Sequence, residues 1–226
     1  MAHSGIEVLF QGKNFLRLME GLWTSVWIAG VSLGFGLLLG TFLGVLRTLK
    51  NAVLRVVLRL YLEFFRIVPT IVLLFLVYYI LPRQFHVEVS AEWMAVLAFS
   101  LWVSAEFSDI VRGALKSVPK HQREAGLALG LTKGQLFVHV LMPQAFMLEL
   151  PAAINLATRV VKTTSLLIII SKDVINVGQQ IIEANNQQYP SGVFWICGFI
   201  FMLYFIVDYP LSLISKMLQQ KFSANL

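Results

Sequence analysis

The sequence has one cysteine, few charged residues and no phosphate-binding loop. Only 13% of its 226 residues are charged, whereas a soluble domain usually has about 25%. The single cysteine, Cys197, excludes both a disulfide framework within the chain and a metal site built from cysteines. Neither GxxxxGK[ST], which would hold nucleotide phosphates, nor the zinc motif HExxH occurs. We therefore expect no catalytic residues, no metal site and no cofactor in this chain.

Long apolar segments make up most of the chain, which is 58% hydrophobic. About 20 apolar residues span a bilayer as a helix. A helix satisfies all its backbone hydrogen bonds within the segment, as lipid requires. The sequence therefore predicts an all-α membrane protein with about five spans. They cover residues 22–46, 60–81, 92–111, 138–170 and 193–214. The second contains Pro69, and the fourth, with Pro143 and Pro151, is long enough to contain a break.

The net charge of +6 does not indicate nucleic-acid binding, because the basic residues are spread through loops between apolar spans. Lys and Arg in such loops favour the cytoplasmic side. With the N-terminus outside, eleven of these residues lie inside and four outside. The inside set is Arg47, Lys50, Arg55, Arg59, Arg112, Lys116, Lys120, Arg123, Lys133, Lys216 and Lys221, and the outside set is Lys13, Arg17, Arg83 and Lys172. We therefore predict a cytoplasmic C-terminus, with membrane lipid and no nucleic acid among the partners.

The first twelve residues differ from the rest of the chain. The stretch 6-IEVLFQG-12 resembles the recognition site of a viral 3C-type protease used to remove purification tags, with the cut between Gln11 and Gly12. We interpret residues 1–12 as a tag remnant and residues 13–226 as one membrane domain. A native amphipathic start is the alternative interpretation.

Two rows of glycines lie in the first span. Gly30 and Gly34 form one pair at small-xxx-small spacing, and Gly36, Gly40 and Gly44 form a second row. Such rows allow helix backbones to approach closely in lipid. Gly30-Val31-Ser32-Leu33-Gly34 also matches GxSxG, the nucleophile motif of serine hydrolases. That motif needs a strand–turn–helix setting, whereas this copy lies inside a predicted helix, so a hydrolase is the weaker alternative.

The polar segment 121-HQREAGLALGLTKGQLFVHVLMPQA-145 separates two apolar spans. Its small residues predict a short helix with little side-chain bulk, and Gly130 suits the left-handed position at a helix end. Leu127 and Leu131, four residues apart, are predicted to form one apolar ridge. Such a compact helix would fit a groove on another protein. A helix lying on the membrane surface is the alternative.

At these residues the sequence resembles the bacterial ABC importer permeases. Glu124-Ala125-Gly126, Gly130 and Pro143 hold the spacing of that family's cytoplasmic loop, with Gly126 in place of the usual second Ala. Three further stretches resemble the polar amino-acid branch, namely 64-FFRIVPTIVLLFLVYYILP-82, 110–120 and 161-VKTTSLLIIIS-171. The resemblance implies a type I ABC importer permease fold whose loop, about residues 117–143, docks on an ATPase. The residues expected to contact the ATPase are Arg123, Glu124, Ala125, Gly126, Leu127, Gly130 and Leu131.

The same resemblance implies a function and a set of partners. We expect the permease subunit of an ATP-driven importer for polar amino acids in the bacterial inner membrane. Two ATPase subunits, which would bind ATP and Mg²⁺, a second permease subunit and an extracytoplasmic amino-acid-binding protein would complete it. A transporter of another small polar solute, such as an amino-acid derivative, an opine or a cystine-like compound, and a channel are further alternatives.

Ionisable and hydroxyl residues within the spans are candidates for the substrate path. Charges inside a membrane are costly and are therefore often functional. Glu106 and Asp109 share one helix face, and the hydroxyls of Thr163, Thr164 and Ser165 are candidates on the fourth span. Internal ion pairs for the two acids, and hydrogen bonds from the hydroxyls to the preceding helical turn, are the structural alternatives.

The residue types near the fourth span also bear on substrate charge. The branch often has Asp where this sequence has Thr163. One carboxylate fewer favours a zwitterionic, neutral or acidic substrate over a strongly cationic one.

Overall fold

The computed structural model describes residues 5–86 and 88–223. Within them every regular element is helical, in agreement with the predicted fold class. The α-helices are α1 (Glu7–Phe10), α2 (Asn14–Leu46), α3 (Ala52–Ile67), α4 (Thr70–Phe75), α5 (Leu81–Phe85), α6 (Ala91–Ser117), α7 (Lys120–Ala128), α8 (Lys133–Leu136), α9 (Met142–Thr163), α10 (Val174–Asn185) and α11 (Gly192–Ser223). Two π turns, Leu76–Ile80 and Phe137–Leu141, and a 3₁₀ segment, Thr164–Ile169, connect some of them.

Four helical segments in the described part of the chain are long and apolar enough to cross a membrane. They are Asn14–Leu46, Ala91–Ser117, Lys133–Ile169 and Gly192–Lys221. They confirm four of the five predicted spans. The fifth exists only if the bent pair Ala52–Ile67 and Thr70–Phe85 counts as one span.

The predicted second span, residues 60–81, is wrong as a continuous helix. The chain bends at Val68 and Pro69, between α3 and α4. Val68 has extended backbone, with ψ of 125°, because a following proline disfavours helical geometry. The amphipathic α3 is thereby separated from the apolar segment that follows it.

The fourth span, which is long enough to contain a break, is continuous in the structure. Lys133–Ile169 forms one long helical segment that contains both Pro143 and Pro151. A π turn ends just before Pro143, and the Met142 N–H donates to the Phe137 carbonyl. Proline removes one backbone donor, and a local widening of the helix accommodates it without ending the span.

The described residues fall into two compact units. Unit 1 contains residues 1–32, 71–99 and 158–210. Its buried apolar cluster joins parts of α1, α2, α10 and α11 through Val8, Leu9, Leu18, Val174, Val177, Ile181, Ile196 and Leu203. Gly21 permits the start of α10 to approach α2, since a Cβ there would lie 2.8 Å from the Val174 Cα.

The segment that resembles a protease site contributes to this cluster. Val8 and Leu9 are buried, although the sequence assigns residues 1–12 to a tag remnant. Residues 1–4 of that segment, together with Val87 and residues 224–226 of the predicted membrane domain, lie outside the described residues.

Unit 2 contains residues 33–70, 100–157 and 211–226. The glycine row at positions 36, 40 and 44 places α2 directly against α6. A Cβ on Gly40 would lie 2.8 Å from the Phe107 Cβ and 3.0 Å from the Ser104 carbonyl oxygen. Elsewhere in the unit the Ser215 hydroxyl of α11 donates to the Pro151 carbonyl at 3.0 Å. Close backbone packing therefore holds α2 to α6, and a side-chain hydrogen bond joins α11 to α9.

The other glycine pair of α2 packs differently. A Cβ added at Gly30 or Gly34 would meet no described atom within 4 Å. The predicted close packing is thus confirmed for the row that contains Gly40 and is not seen for this pair.

Candidate functional site

Helix α7 is a short helix whose end has a defined geometry. It follows Pro119, whose backbone is extended, and ends at Ala128, with Leu129 as its C-cap. Gly130 has φ of +81°, and two hydrogen bonds close the end, from the Leu131 N–H to the Gly126 carbonyl and from the Gly130 N–H to the Leu127 carbonyl. This pair of bonds with a left-handed glycine is the Schellman motif. The predicted left-handed role of Gly130 is confirmed.

The predicted ridge of Leu127 and Leu131 is not formed. Leu131 lies beyond the end of the helix, and its Cδ1 would be 3.4 Å from a Cβ on Gly126. Its side chain therefore packs inward. Leu127 is 52% exposed and Leu129 is 83% exposed, so the accessible apolar tip consists of these two residues. Sequence analysis missed Leu129 because the ridge assumed a helix that continued past Gly130.

Neighbouring contacts fix the segment that follows α7. Thr132 and Gln135 form a capping box at the start of α8, in which each side chain binds the other residue's backbone N–H. The Gln144 side chain donates to Gln122 at 3.5 Å. These contacts hold residues 120–136 in place while Leu127 and Leu129 remain accessible. We name these residues the coupling segment, after the role that the sequence resemblance implies.

Arg123 and Glu124 point to different surroundings within the coupling segment. The Arg123 guanidinium donates to the Leu115 carbonyl of α6 at 3.3 Å and also lines a cleft in unit 2. Glu124 and Ala125 are exposed, whereas Gly126 is buried. A Cβ on Gly126 would come within 2.5 Å of Leu136 Cδ1. Of the seven predicted ATPase contacts, Gly126 is buried and Leu131 is half-buried, and the other five are exposed, namely Arg123, Glu124, Ala125, Leu127 and Gly130.

Glu106 and Asp109 take part in a cluster of ion pairs in unit 2. Asp109 lies 3.1 Å from Arg47, 3.5 Å from Arg66 and 3.6 Å from Arg112. Glu106 lies 3.3 Å from Arg66. The cluster links α6 to α3 through Arg66 and to the end of α2 through Arg47. Both acids are therefore in ion pairs. The predicted shared face of Glu106 and Asp109 is confirmed, since both reach Arg66.

Only one ion pair of this cluster could be predicted from the sequence. The pair Asp109–Arg112 has i,i+3 spacing and could have been found on the sequence alone. Arg47 and Arg66 are 62 and 43 residues from Asp109, so no local pattern indicates those contacts. A second polar contact lies on the same helices, where the hydroxyls of Tyr61 and Ser104 are 2.6 Å apart.

A cleft of about 700 Å³ adjoins the cluster. Seven basic and two acidic side chains line it. They are Arg47, Arg55, Arg59, Arg66, Arg112, Lys116, Arg123, Glu63 and Asp109. An excess of cations focuses a positive potential in a concave site, so the cleft attracts anionic groups.

The three hydroxyls of the fourth span lie where helix α9 gives way to a 3₁₀ turn in unit 1. Thr163 donates to the Arg159 carbonyl at 2.7 Å, and Thr164, which is buried, donates to the Val161 carbonyl at 2.6 Å. Both hydroxyls therefore bind the preceding turn. Ser165 is half-buried. The 3₁₀ segment follows directly, as expected where hydroxyls and carbonyls tighten a helix end.

The serine of the GxSxG match does not have the geometry of a nucleophile. Ser32 is buried in the middle of α2, and its hydroxyl donates to the Val96 carbonyl at 3.4 Å. A nucleophile elbow exposes its serine on a turn between a strand and a helix. The hydrolase alternative is therefore not supported.

The apolar helical segments of this chain agree with a match to known membrane proteins. Residues 36–223 match the family model described as "Binding-protein-dependent transport system inner membrane component". The chain belongs to this family. It is thus a membrane-spanning permease subunit of the ABC transporter type, and the channel and hydrolase alternatives are not supported.

Several curated permeases resemble this chain over most of its length. The L-cystine transport system permease protein of Bacillus subtilis is 33% identical over 162 residues, covering 71% of this chain and 67% of that protein. The glutamine transport system permease protein of Escherichia coli is 31% identical over 206 residues, covering 90% and 92%. The arginine transport system permease protein of B. subtilis is 30% identical over 166 residues, covering 73% and 74%.

Solved structures show the same fold. A chain of "an amino acid ABC transporter with histidines" superposes with a TM-score of 0.78 at 25% identity, covering 91% of this permease and 95% of that chain. A chain of the MetNI methionine ABC transporter gives a TM-score of 0.73 at 19% identity, with 91% and 96% covered. The permease therefore has the fold of type I importer permeases, as predicted.

Proposed function

We propose that this permease imports a polar amino acid and that the coupling segment docks on a separate ATPase subunit. The accessible pair Leu127 and Leu129, on a segment fixed by hydrogen bonds, is the observation that carries the proposal. Two apolar side chains on a rigid, polar loop are suited to a hydrophobic pocket of a partner. The partner would bind ATP and Mg²⁺, since this sequence lacks a phosphate-binding loop.

The charge distribution supports a cytoplasmic location for the coupling segment. Twelve of the 18 Lys and Arg residues belong to unit 2, which also contains this segment and the C-terminal residues. The positive-inside rule places such a set in the cytoplasm. The N-terminus then lies outside, where an amino-acid-binding protein would deliver substrate, and the membrane is the bacterial inner membrane.

A second permease subunit completes the path in this proposal. Many large apolar side chains of the described helices are exposed, including Leu38, Phe194 and Phe201. Lipid and a second permease, either a copy of this chain or a related one, would cover them. Two ATPase subunits would then bind the two coupling segments.

The substrate is proposed to be zwitterionic, neutral or acidic. The relatives above are named for cystine, glutamine and arginine. Glu106 and Asp109 are already paired with arginines, so neither supplies an uncompensated negative charge for a cationic side chain. Within unit 2 they stay candidates for the substrate path, and Thr163, Thr164 and Ser165 stay separate candidates within unit 1.

Uptake assays would test the substrate class. The assembled transporter, with its ATPase and binding protein, would be given labelled glutamate, glutamine, cystine and arginine in separate reactions. We expect one of the first three to be taken up in preference to arginine. Preferential arginine uptake that is lost in Asp109→Asn would contradict the proposal.

We also propose that residues 1–12 are a tag remnant outside the permease domain. The support is the sequence 6-IEVLFQG-12. Treatment of the folded permease with 3C-type protease would remove the segment, and transport by the shortened protein should equal that of the full chain. A loss of transport after the cut would show that the segment is functional.

A further inference from the structure

The cleft of unit 2 contains more positive charge than its carboxylates neutralise. Asp109 is shared by Arg47, Arg66 and Arg112. In the described part of the chain, no carboxylate lies within ion-pair distance of Arg55, Arg59 or Lys116. Glu63, four residues after Arg59, likewise forms no ion pair among the described residues. Several cations of the cleft are therefore available to an anion.

One buried donor adds to this excess. The Arg112 Nε has no hydrogen-bond partner among the described residues and lies 3.6 Å from Asp109. A buried donor without a partner costs free energy that a ligand acceptor would recover. The planar guanidinium groups of the cleft suit the paired oxygens of a phosphate.

Helix α3 presents two chemically different faces. Arg55, Arg59 and Arg66 line the cleft. A different face has exposed apolar side chains, among them Leu60 and Ile67, which are 66% and 74% exposed. A helix with basic residues on one face and aliphatic residues on the other is typical of the boundary between headgroups and acyl chains. The cleft therefore lies next to a surface suited to lipid.

We infer that the cleft binds the phosphate group of an anionic phospholipid, with α3 seated at the headgroup level. A volume of about 700 Å³ is within the range of small-molecule sites. Juxtamembrane Lys and Arg attract anionic lipids, and here Arg55, Arg59 and Lys116 converge on one cavity rather than on an open surface. A free phosphate would use the cations of the cleft and would gain nothing from the apolar face of α3.

Native mass spectrometry of the full chain would test this site. The protein would be released from nanodiscs that contain equal amounts of phosphatidylglycerol and phosphatidylcholine, and the ratio of retained lipids would be measured. We expect phosphatidylglycerol to be enriched on the wild type. Removing one basic residue near an anionic surface lowers affinity about five-fold, so Arg55→Gln with Arg59→Gln should lower the enrichment roughly twenty-five-fold.

A matched variant controls for net charge. Lys216→Gln with Lys221→Gln removes the same two charges from α11, and neither residue lines the cleft. This variant should keep the wild-type enrichment. Thermal unfolding of both variants would check that they are folded. Equal enrichment in the cleft variant and the α11 variant would overturn the inference.

Two further outcomes would assign the cleft to another ligand. Saturable binding of inorganic phosphate to the wild type that is lost in the cleft variant, without any selectivity for phosphatidylglycerol, would assign it to soluble phosphate. Unchanged lipid selectivity with loss of ATPase co-purification in the cleft variant would assign it to contact with the ATPase. Either result would overturn the lipid site.

Discussion

Gly130 has a backbone conformation that residues with a side chain adopt at a cost. Its φ is +81°, and no described atom would lie within 4 Å of an added Cβ. A substitution at Gly130 is therefore limited by the backbone conformation and not by contacts of the new side chain. A left-handed conformation costs roughly 1–2 kcal/mol in an L-residue, so a substitution here disturbs the geometry that presents Leu127 and Leu129.

We predict that Gly130→Val lowers transport per ATP hydrolysed in the assembled transporter. The Schellman hydrogen bonds would no longer form without strain, and the apolar tip would lose its fixed position. Gly134→Val is the matched control, because Gly134 lies in α8 without a left-handed φ and with open space around it. The ratio of uptake to phosphate release measures coupling. An unchanged ratio in Gly130→Val would count against the coupling role.

Asp173 is a buried carboxylate at the start of α10, outside the spans. It accepts hydrogen bonds from the Ile175 and Asn176 N–H groups at 3.1 and 3.0 Å. Burial raises the pKa of its carboxyl to about 6, although the backbone hydrogen bonds act in the opposite direction. Because the pKa is higher in the folded protein than in the unfolded chain, protonation stabilises the fold. This contribution is complete below about pH 4 and is lost as the pH rises through about 6.

The pH dependence of unfolding should follow from this pKa. Asp173→Asn keeps a capping side chain and removes the titration. We expect the free energy of unfolding of the wild type, relative to that of the variant, to fall between about pH 4 and pH 6 and to level off above about pH 7. Thermal unfolding across this range, in one detergent, is the measurement. A difference that does not vary with pH would show that Asp173 does not titrate there.

Packing between helices α2 and α6 depends on small side chains at one face of α2. Ala at position 40 would place its Cβ 3.0 Å from the backbone oxygen of Ser104. Overpacking of this kind typically costs about 1–3 kcal/mol. We predict that Gly40→Ala lowers the midpoint of thermal unfolding in detergent.

Gly34→Ala is the control on the same helix. A Cβ at Gly34 meets no described atom within 4 Å, and Ala favours a helix over Gly by about 0.5–1 kcal/mol. This variant should be as stable as the wild type or slightly more so. Equal effects of the two substitutions would mean that α2 does not approach α6 at Gly40.

Local patterns predicted the elements better than their contacts. Apolar length located four spans, and the left-handed glycine located the end of α7. The bend at Pro69 was missed because the chain is apolar on both sides of it, at Ile67-Val68 and from Ile71 to Leu81, and hydropathy does not register backbone geometry. The prolines of the fourth span do not interrupt its helix, since a π turn before Pro143 accommodates the missing donor. The contacts of Arg47 and Arg66 with Asp109 bring together residues far apart in the chain, which no single-helix pattern encodes.

The whole molecule is a permease whose charge is concentrated near its coupling segment. Unit 2 contains the basic cleft, the ion-pair cluster and the accessible Leu127 and Leu129. The central claim is that these features connect an amino-acid path to ATP hydrolysis on another subunit. Leu129 is the sharpest place to test the claim, because it is 83% exposed and surface substitutions usually change stability by less than about 0.5 kcal/mol.

The direct measurement is uptake of a labelled polar amino acid into proteoliposomes that contain the assembled transporter, with and without ATP on the ATPase side. We predict uptake only with ATP, a strong loss in Leu129→Asp, and normal uptake in Phe10→Asp, which makes the same kind of change at another exposed residue. The permease alone should neither hydrolyse ATP nor accumulate substrate. Uptake that needs no ATP, or full ATP-driven uptake by Leu129→Asp, would contradict the account.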